Sequence, residues 1–101
     1  MPQKIKLSGG PEKTVTWIWL DMNGQIKVEF YDFSETAHRM FGNDIAYTIT
    51  VGEMDKLFSA ANKDDTSVIA WMAENFQNYF GIRHWLEENE IGFLVERENW
   101  A

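Results

Sequence analysis

The chain has 101 residues, 45% of them hydrophobic and 25% charged, and it is rich in aromatic residues, with five Trp, seven Phe and three Tyr. This is enough apolar material for one domain with its own core, so we expect a single domain over residues 1–101. The absence of cysteine excludes disulfides, thiolate metal sites and cysteine nucleophiles. The formal net charge is −7, and residues 14–101 carry fifteen acidic against six basic side chains. Such a surface repels nucleic acid and anionic membranes and attracts basic proteins.

The N-terminal segment, residues 1–13, is predicted to be flexible apart from an edge strand at residues 4–7, which alternate weakly between polar and apolar. Residues 14–20 are dense in β-branched and aromatic side chains, which predicts a strand. Residues 25–33 form the partner strand. Between them lies the pair Asn23-Gly24, which is typical of a two-residue hairpin turn with positive φ at both positions.

The length of this hairpin loop decides which side chains share a face of the sheet. A loop of two or four residues sets Trp17 opposite Phe30 and Trp19 opposite Val28. An odd loop sets the two tryptophans opposite Glu29 and Lys27 instead. We predict the even register, because it groups apolar side chains on one buried face: Val15, Trp17, Trp19, Ile26, Val28 and Phe30.

The central part of the chain predicts a short helix between Ser34 and Gly42 and a strand over residues 45–51. The spacing of Thr50 and Glu53 indicates a capping box, followed by a helix with apolar positions 54, 57, 58 and 61. Residues 63–66 form a polar loop.

The C-terminal part predicts the longest helix over residues 67–80, with Gly81 ending or kinking it. A shorter helix with Ile82, Trp85 and Leu86 on its apolar side follows. Residues 91–96 alternate as a last strand. This order of elements predicts an α+β fold, a two-layer sandwich of a mainly antiparallel sheet of four to five strands with helices on one face.

Histidine and carboxylate pairs are the first candidates for metal binding. Glu35 and His38 are three residues apart, and His84 precedes Glu87 and Glu88 by three and four, so each pair shares a helical face. A carboxylate-bridged metal site uses Glu-x-x-His twice, with further glutamates from neighbouring helices. The ligand set is incomplete here, and we predict no bound metal and no cofactor.

A second candidate is the group formed by Asp32, Glu35, His38 and Asp44 around the short helix. Two facing carboxylates are the machinery of glycoside hydrolysis. With sixteen acidic residues in the chain, such neighbours also arise by chance. Asp32 has a simpler role beside a helix N-terminus and Asp44 in a turn. We therefore predict no catalytic residues, and keep a small-molecule-binding domain or small enzyme using this group as an alternative.

Surface contacts offer a third possibility. With the even register, apolar residues line the far face of the sheet. A contiguous apolar patch of this kind marks a contact site. Together with the acidic end of the C-terminal helical segment, the predicted interaction surface consists of Ile18, Leu20, Tyr31, Leu94, Glu87 and Glu88.

Two stretches carry a resemblance to a known group of proteins: YDFSETAHRMFGNDIAYTITV at residues 31–51 and WLEENEIGF at residues 85–93. They resemble uncharacterised, small, single-domain acidic bacterial proteins, over about residues 17–95. This resemblance implies no activity. Acidic, cysteine-free domains of this size include immunity proteins of toxin systems.

We interpret the protein as a cytoplasmic, non-enzymatic interaction module of that kind, with an acidic surface for a basic protein partner. No run of the sequence approaches the roughly 18 to 20 apolar residues of a membrane span. A homodimeric domain that binds only a second copy of itself is the remaining alternative.

Overall fold

The computed structural model describes residues 4–7, 9–10, 13–33 and 44–100, with the backbone alone at residues 44 and 98–100. These residues form a five-stranded antiparallel sheet in chain order. Its strands are β1 (Ile5–Leu7), β2 (Thr14–Leu20), β3 (Ile26–Asp32), β4 (Asp44–Val51) and β5 (Phe93–Trp100). The connection from β4 to β5 contains the helices α1 (Met54–Ala61), α2 (Val68–Asn75) and α3 (Tyr79–Glu88).

The predicted α+β class and mainly antiparallel sheet are confirmed, with β1 as the expected edge strand. The short helix expected between Ser34 and Gly42 lies outside the described residues.

The β2–β3 hairpin has a register different from the predicted one. Its ladder pairs the tryptophans with charged residues and the aliphatic residues with one another: Trp17 with Glu29, Trp19 with Lys27, Ile18 with Val28, and Leu20 with Ile26. The strands are therefore joined by an odd number of residues. The predicted even register is wrong, and so is the assignment of Val15, Trp17 and Trp19 to the buried face.

The hairpin turn supplies the physical reason. The amide of Gly24 donates to the carbonyl oxygen of Asp21 at 3.1 Å, and the amide of Asp21 donates to that of Gln25 at 2.9 Å. Gly24 has a φ of 77°, so a tight turn is followed by a left-handed glycine, the usual three-residue hairpin loop. The Asp21 carboxylate accepts the amides of Asn23 and Gln25 at 2.9 and 3.0 Å. Asp21 thus stabilises this loop over the two-residue turn that Asn-Gly alone predicts.

The observed register gives the sheet an aliphatic inner face. Its residues form one core with the buried side chains of all three helices. From the sheet the core takes Leu7, Ile18, Ile26, Val28, Phe30, Ile49 and Val51, and from the helices Leu57, Val68, Met72, Tyr79, Ile82 and Leu86. Among the described residues, no side chain of the opposite sheet face belongs to this core. The helices therefore pack on the inner face.

One polar group lies inside this core. Thr16 is 1% exposed, and its Oγ1 accepts the backbone amide of Tyr79 at 3.0 Å. Tyr79 is the first residue of α3, and the backbone amides of the first turn of a helix have no hydrogen-bond partner within the helix. Thr16 therefore joins β2 to α3, and the described residues leave no buried side-chain polar atom unpaired.

Residues 67–88 form two helices, as predicted, but the break between them lies at residues 76–78 and not at Gly81, so the predicted extent of the first helix, residues 67–80, is wrong. Phe76 ends α2 in an extended conformation, with φ −122° and ψ 142°. Asn78 then accepts the amides of Phe80 and Gly81 at 2.9 and 3.3 Å and caps α3. An asparagine cap that satisfies two amides favours a new helix start over a continuous helix. Gly81 consequently lies inside α3 and does not end a helix.

The start of α1 also differs from the expected capping box. Thr50 belongs to β4, and the N-cap residue is Glu53, without a side-chain cap hydrogen bond. The Glu53 carboxylate reaches away from α1 and accepts the amide of Gly92 at 2.6 Å. This contact joins the start of α1 to the segment leading into β5.

Candidate functional site

Two surfaces on opposite sides of the sheet are candidates for function. The first, which we call the open face, is the sheet face opposite the described helices. It carries Lys4 and Lys6 along β1, Val15, Trp17 and Trp19 on β2, Lys27, Glu29 and Tyr31 on β3, Ala46, Thr48 and Thr50 on β4, and Leu94 and Glu96 on β5. A hydrogen bond of 2.8 Å from Lys27 Nζ to Thr50 Oγ1 crosses this face.

Aromatic side chains dominate the β2–β3 part of the open face. Trp17, Trp19 and Tyr31 are half-buried. Lys4 Nζ lies 4.2 Å from the centroid of the Trp19 ring, a cation–π contact. Beyond Tyr31, the ring of Phe33 continues the aromatic stripe at a centroid distance of 5.8 Å and is 43% exposed. The two tryptophans are therefore surface residues and do not form the core.

Charge is unevenly distributed across the open face. The β1 edge contributes the exposed Lys4 and Lys6, and the β5 edge contributes the exposed Glu96. The central strand β3 carries one charge of each sign, Lys27 and Glu29. The open face thus has a basic edge and an acidic edge about 19 Å apart, given four strand spacings.

The second candidate, the helical layer, is the outward side of the three helices and their connections. Residues 53–90 contain eight acidic side chains, all exposed, against three basic ones. Two of the basic residues form ion pairs within the layer, Lys56 with Glu53 at 3.2 Å and Arg83 with Glu87 at 3.7 Å. The layer therefore presents a strongly acidic surface.

Two carboxylates of the helical layer have local structural partners. The amide of Gly92, followed by the ammonium group of Lys56, lowers the pKa of Glu53. The hydroxyls of Thr66 and Ser67, 2.7 and 2.9 Å from one Asp64 oxygen, lower the pKa of Asp64. These hydrogen bonds stabilise the charged forms, so both groups stay anionic well below neutral pH.

The helical layer also carries an aromatic cluster. Trp71, Phe76 and Trp85 have ring centroids 5.4 to 5.7 Å apart and pack against the core while remaining partly accessible. Asn75 and Asn89 donate to the carbonyl oxygens of Trp71 and Trp85, each at 2.8 Å. The cluster joins α2 to α3 and has a structural role.

The structure divides the predicted interaction surface. Ile18 is completely buried and Leu20 packs against the core, so neither contributes to a surface as predicted, because the register turns both toward the helices. Tyr31 and Leu94 lie on the open face, where Leu94 is 70% exposed. Glu87 and Glu88 are exposed on α3, on the other side of the sheet. Sequence reasoning missed Trp17 and Trp19, and Asp21 was the signal that could have identified them.

The alternative catalytic group is described only in part. Glu35 and His38 lie outside the described residues. Asp32 is half-buried at the end of β3, and its backbone partner on β4 is Ile45, next to Asp44. Elsewhere, His84 Nε2 lies 2.7 Å from Glu88 Oε1. No group of three or more His, Asp or Glu residues suited to a metal ion occurs in the described part of the chain.

Among the described residues, no helix has the length and apolar character needed to cross a membrane. Comparisons of the chain with protein-family models, with curated proteins and with solved structures gave no match. The geometry of the two surfaces is therefore the basis for a functional proposal.

Proposed function

We propose that the protein is a cytoplasmic, non-enzymatic interaction module that presents its acidic helical layer to a basic protein partner, as an immunity-type inhibitor does. The observation that carries this proposal is the position of Glu87 and Glu88 at the C-terminal end of α3, which has no basic residue in its last turn. Carboxylates there meet the negative end of the helix dipole, which is unfavourable by roughly 0.3–1 kcal/mol each.

Local ion pairs offset this cost only weakly. Arg83 precedes Glu87 and His84 precedes Glu88, each by four residues. In this order, with the carboxylate C-terminal to its partner, an Arg–Glu ion pair is less stabilising than the reverse, and the contact of His84 with Glu88 is an ion pair only when His84 is protonated. The two glutamates are thus poorly explained by helix stability, and a contact with a basic partner supplies a reason for them.

The net charge of the helical layer also suits such a partner. Exposed charges of one sign accelerate association with an oppositely charged surface and confer little stability of their own. We expect the partner to present lysine and arginine side chains around its own functional site. Blocking that site would require no catalysis by this chain.

Association kinetics would test the proposal, with the basic proteins encoded by the genes flanking this one as probes. We expect the double substitution Glu87→Lys, Glu88→Lys to lower the association rate roughly tenfold at low salt, and less at high salt. The matched control is Glu29→Lys, Glu96→Lys, which changes the total charge equally but on the open face; all variants are measured at concentrations where light scattering shows a monomer, so that self-association does not enter the comparison. Equal effects of both variants, or no binding by any flanking gene product, would refute the proposal.

A further inference from the structure

We propose that the open face is a self-association surface on which two copies of this chain pack sheet against sheet. In this arrangement a two-fold axis runs parallel to the strands, along β3. Rotation about that axis places β1 of one copy over β5 of its partner, and β2 over β4. The face has the size, shape and charge pattern that this operation requires.

Side-chain size supports this axis. On one side of β3, strand β2 presents the large side chains Trp17 and Trp19. On the other side, β4 carries the small residues Ala46, Thr48 and Thr50, of which Ala46 is already buried within the chain and Thr48 and Thr50 are half-buried. Two packed sheets fill the space between them when large side chains interdigitate with small ones. The proposed axis places each large column over a small one.

The charges of the two edges support the same axis. Lys6 and Glu96 lie in one cross-strand row, through Trp17, Glu29 and Thr48. Rotation about an axis parallel to the strands keeps each residue in its row, so it sets Lys6 of one copy against Glu96 of the other, twice in the dimer. A perpendicular axis in the plane of the sheet would instead set Lys6 against Lys6.

The centre of the face contains Lys27 and Glu29, which the axis places near their own copies. The two residues are one row apart on β3, about 7 Å along the strand. Each Lys27 can therefore reach Glu29 of the partner subunit with its long side chain. A central pair of this kind fixes the register between the two sheets and keeps both charges paired.

The area of the open face comes close to that of a standard protein interface. Four strands of seven or eight residues and the three-residue β1 project a surface of at most roughly 24 by 24 Å. With its side chains, such a face approaches the roughly 800 Å² per partner that a standard protein interface buries. The helical layer remains outside in this dimer, so self-association is independent of the basic partner proposed above.

The molar mass in solution, measured by light scattering over the micromolar concentration range, provides the first test. We expect a concentration-dependent dimer of the 11.8 kDa chain. Lys6→Glu and Glu96→Lys should each raise the dimer Kd roughly three- to tenfold, because each creates like-charge contacts at both ends of the interface. The double variant Lys6→Glu, Glu96→Lys should restore the original Kd.

A steric variant separates this surface from other contacts. Thr48→Trp fills the small column and should abolish the dimer, whereas Met22→Trp, at a hairpin position that is 93% exposed, should leave it intact. Thermal melts check that each variant folds. A monomeric native chain, or a double charge swap as weak as the single variants, would overturn the proposal.

Discussion

The hydrogen bond between Thr16 and Tyr79 gives the most direct test of the observed hairpin register. Thr16→Val keeps the shape of the side chain but removes the only side-chain acceptor of the Tyr79 amide among the described contacts. A buried donor left without a partner costs about 1–3 kcal/mol. For a domain of this size, each kcal/mol lowers the Tm by about 4–8 °C. With the predicted even register, Thr16 would face away from α3 and the substitution would have little effect.

Chemical denaturation of Thr16→Val and Thr16→Ser would measure this effect. Thr16→Ser keeps the acceptor oxygen and loses one methyl group, at a cost of about 0.8 kcal/mol. Hydrogen exchange of the Tyr79 amide separates the loss of the hydrogen bond from a general loss of stability. Protection of this amide should fall further in Thr16→Val than the change in global stability explains. An equally stable Thr16→Val protein with a protected Tyr79 amide would refute the observed pairing of β2 with α3.

Two further predictions concern which face of β2 is buried and how stability declines at acid pH. Ile18→Ala opens a cavity in the core and should cost about 2–5 kcal/mol, whereas Trp17→Ala on the open face should cost less than half as much in matched urea denaturations. A larger cost for Trp17→Ala than for Ile18→Ala would mean that the tryptophans belong to the core. For Glu53, whose pKa is lowered from 4.5, the stabilisation is complete above pH 4.5 and is lost as the pH falls through the lower folded-state value. Glu53→Gln should therefore flatten the decline of Tm below pH 4.5, and an unchanged decline would mean that the contact with Gly92 contributes nothing.

Most elements were predictable because their signals are local. The alternation of residues 45–51 and the β-branched and aromatic content of residues 14–20 predict strands that the structure confirms. The apolar positions of α1, including Leu57 and Ala61, face the core as expected. The break between α2 and α3 was placed at Gly81, several residues too late, because an apolar pattern at helical spacing continues across residues 76–78. Asn78 interrupts it by offering two hydrogen bonds, a local signal that periodicity does not contain.

The residues of the candidate surfaces could not be predicted from local sequence signals alone. The sequence by itself determined that the chain is acidic, free of cysteine and built around an antiparallel sheet, since composition and alternation do not depend on long-range pairing. It also determined that β2 has one face with Trp17 and Trp19 and another with Ile18 and Leu20. Both faces are apolar, so alternation could not decide which one is buried.

Tertiary structure decided that question through the turn and the helices. The Asp21 carboxylate selects an odd loop, and one residue of register exchanges the whole hairpin between core and surface. Ile18 and Leu20 then pack against the helices, and on the same face Thr16 accepts the amide of the first residue of α3. The larger tryptophan rings are left on the open face beside Lys4 and Lys6, whose proximity to them follows only from the pairing of β1 with β2.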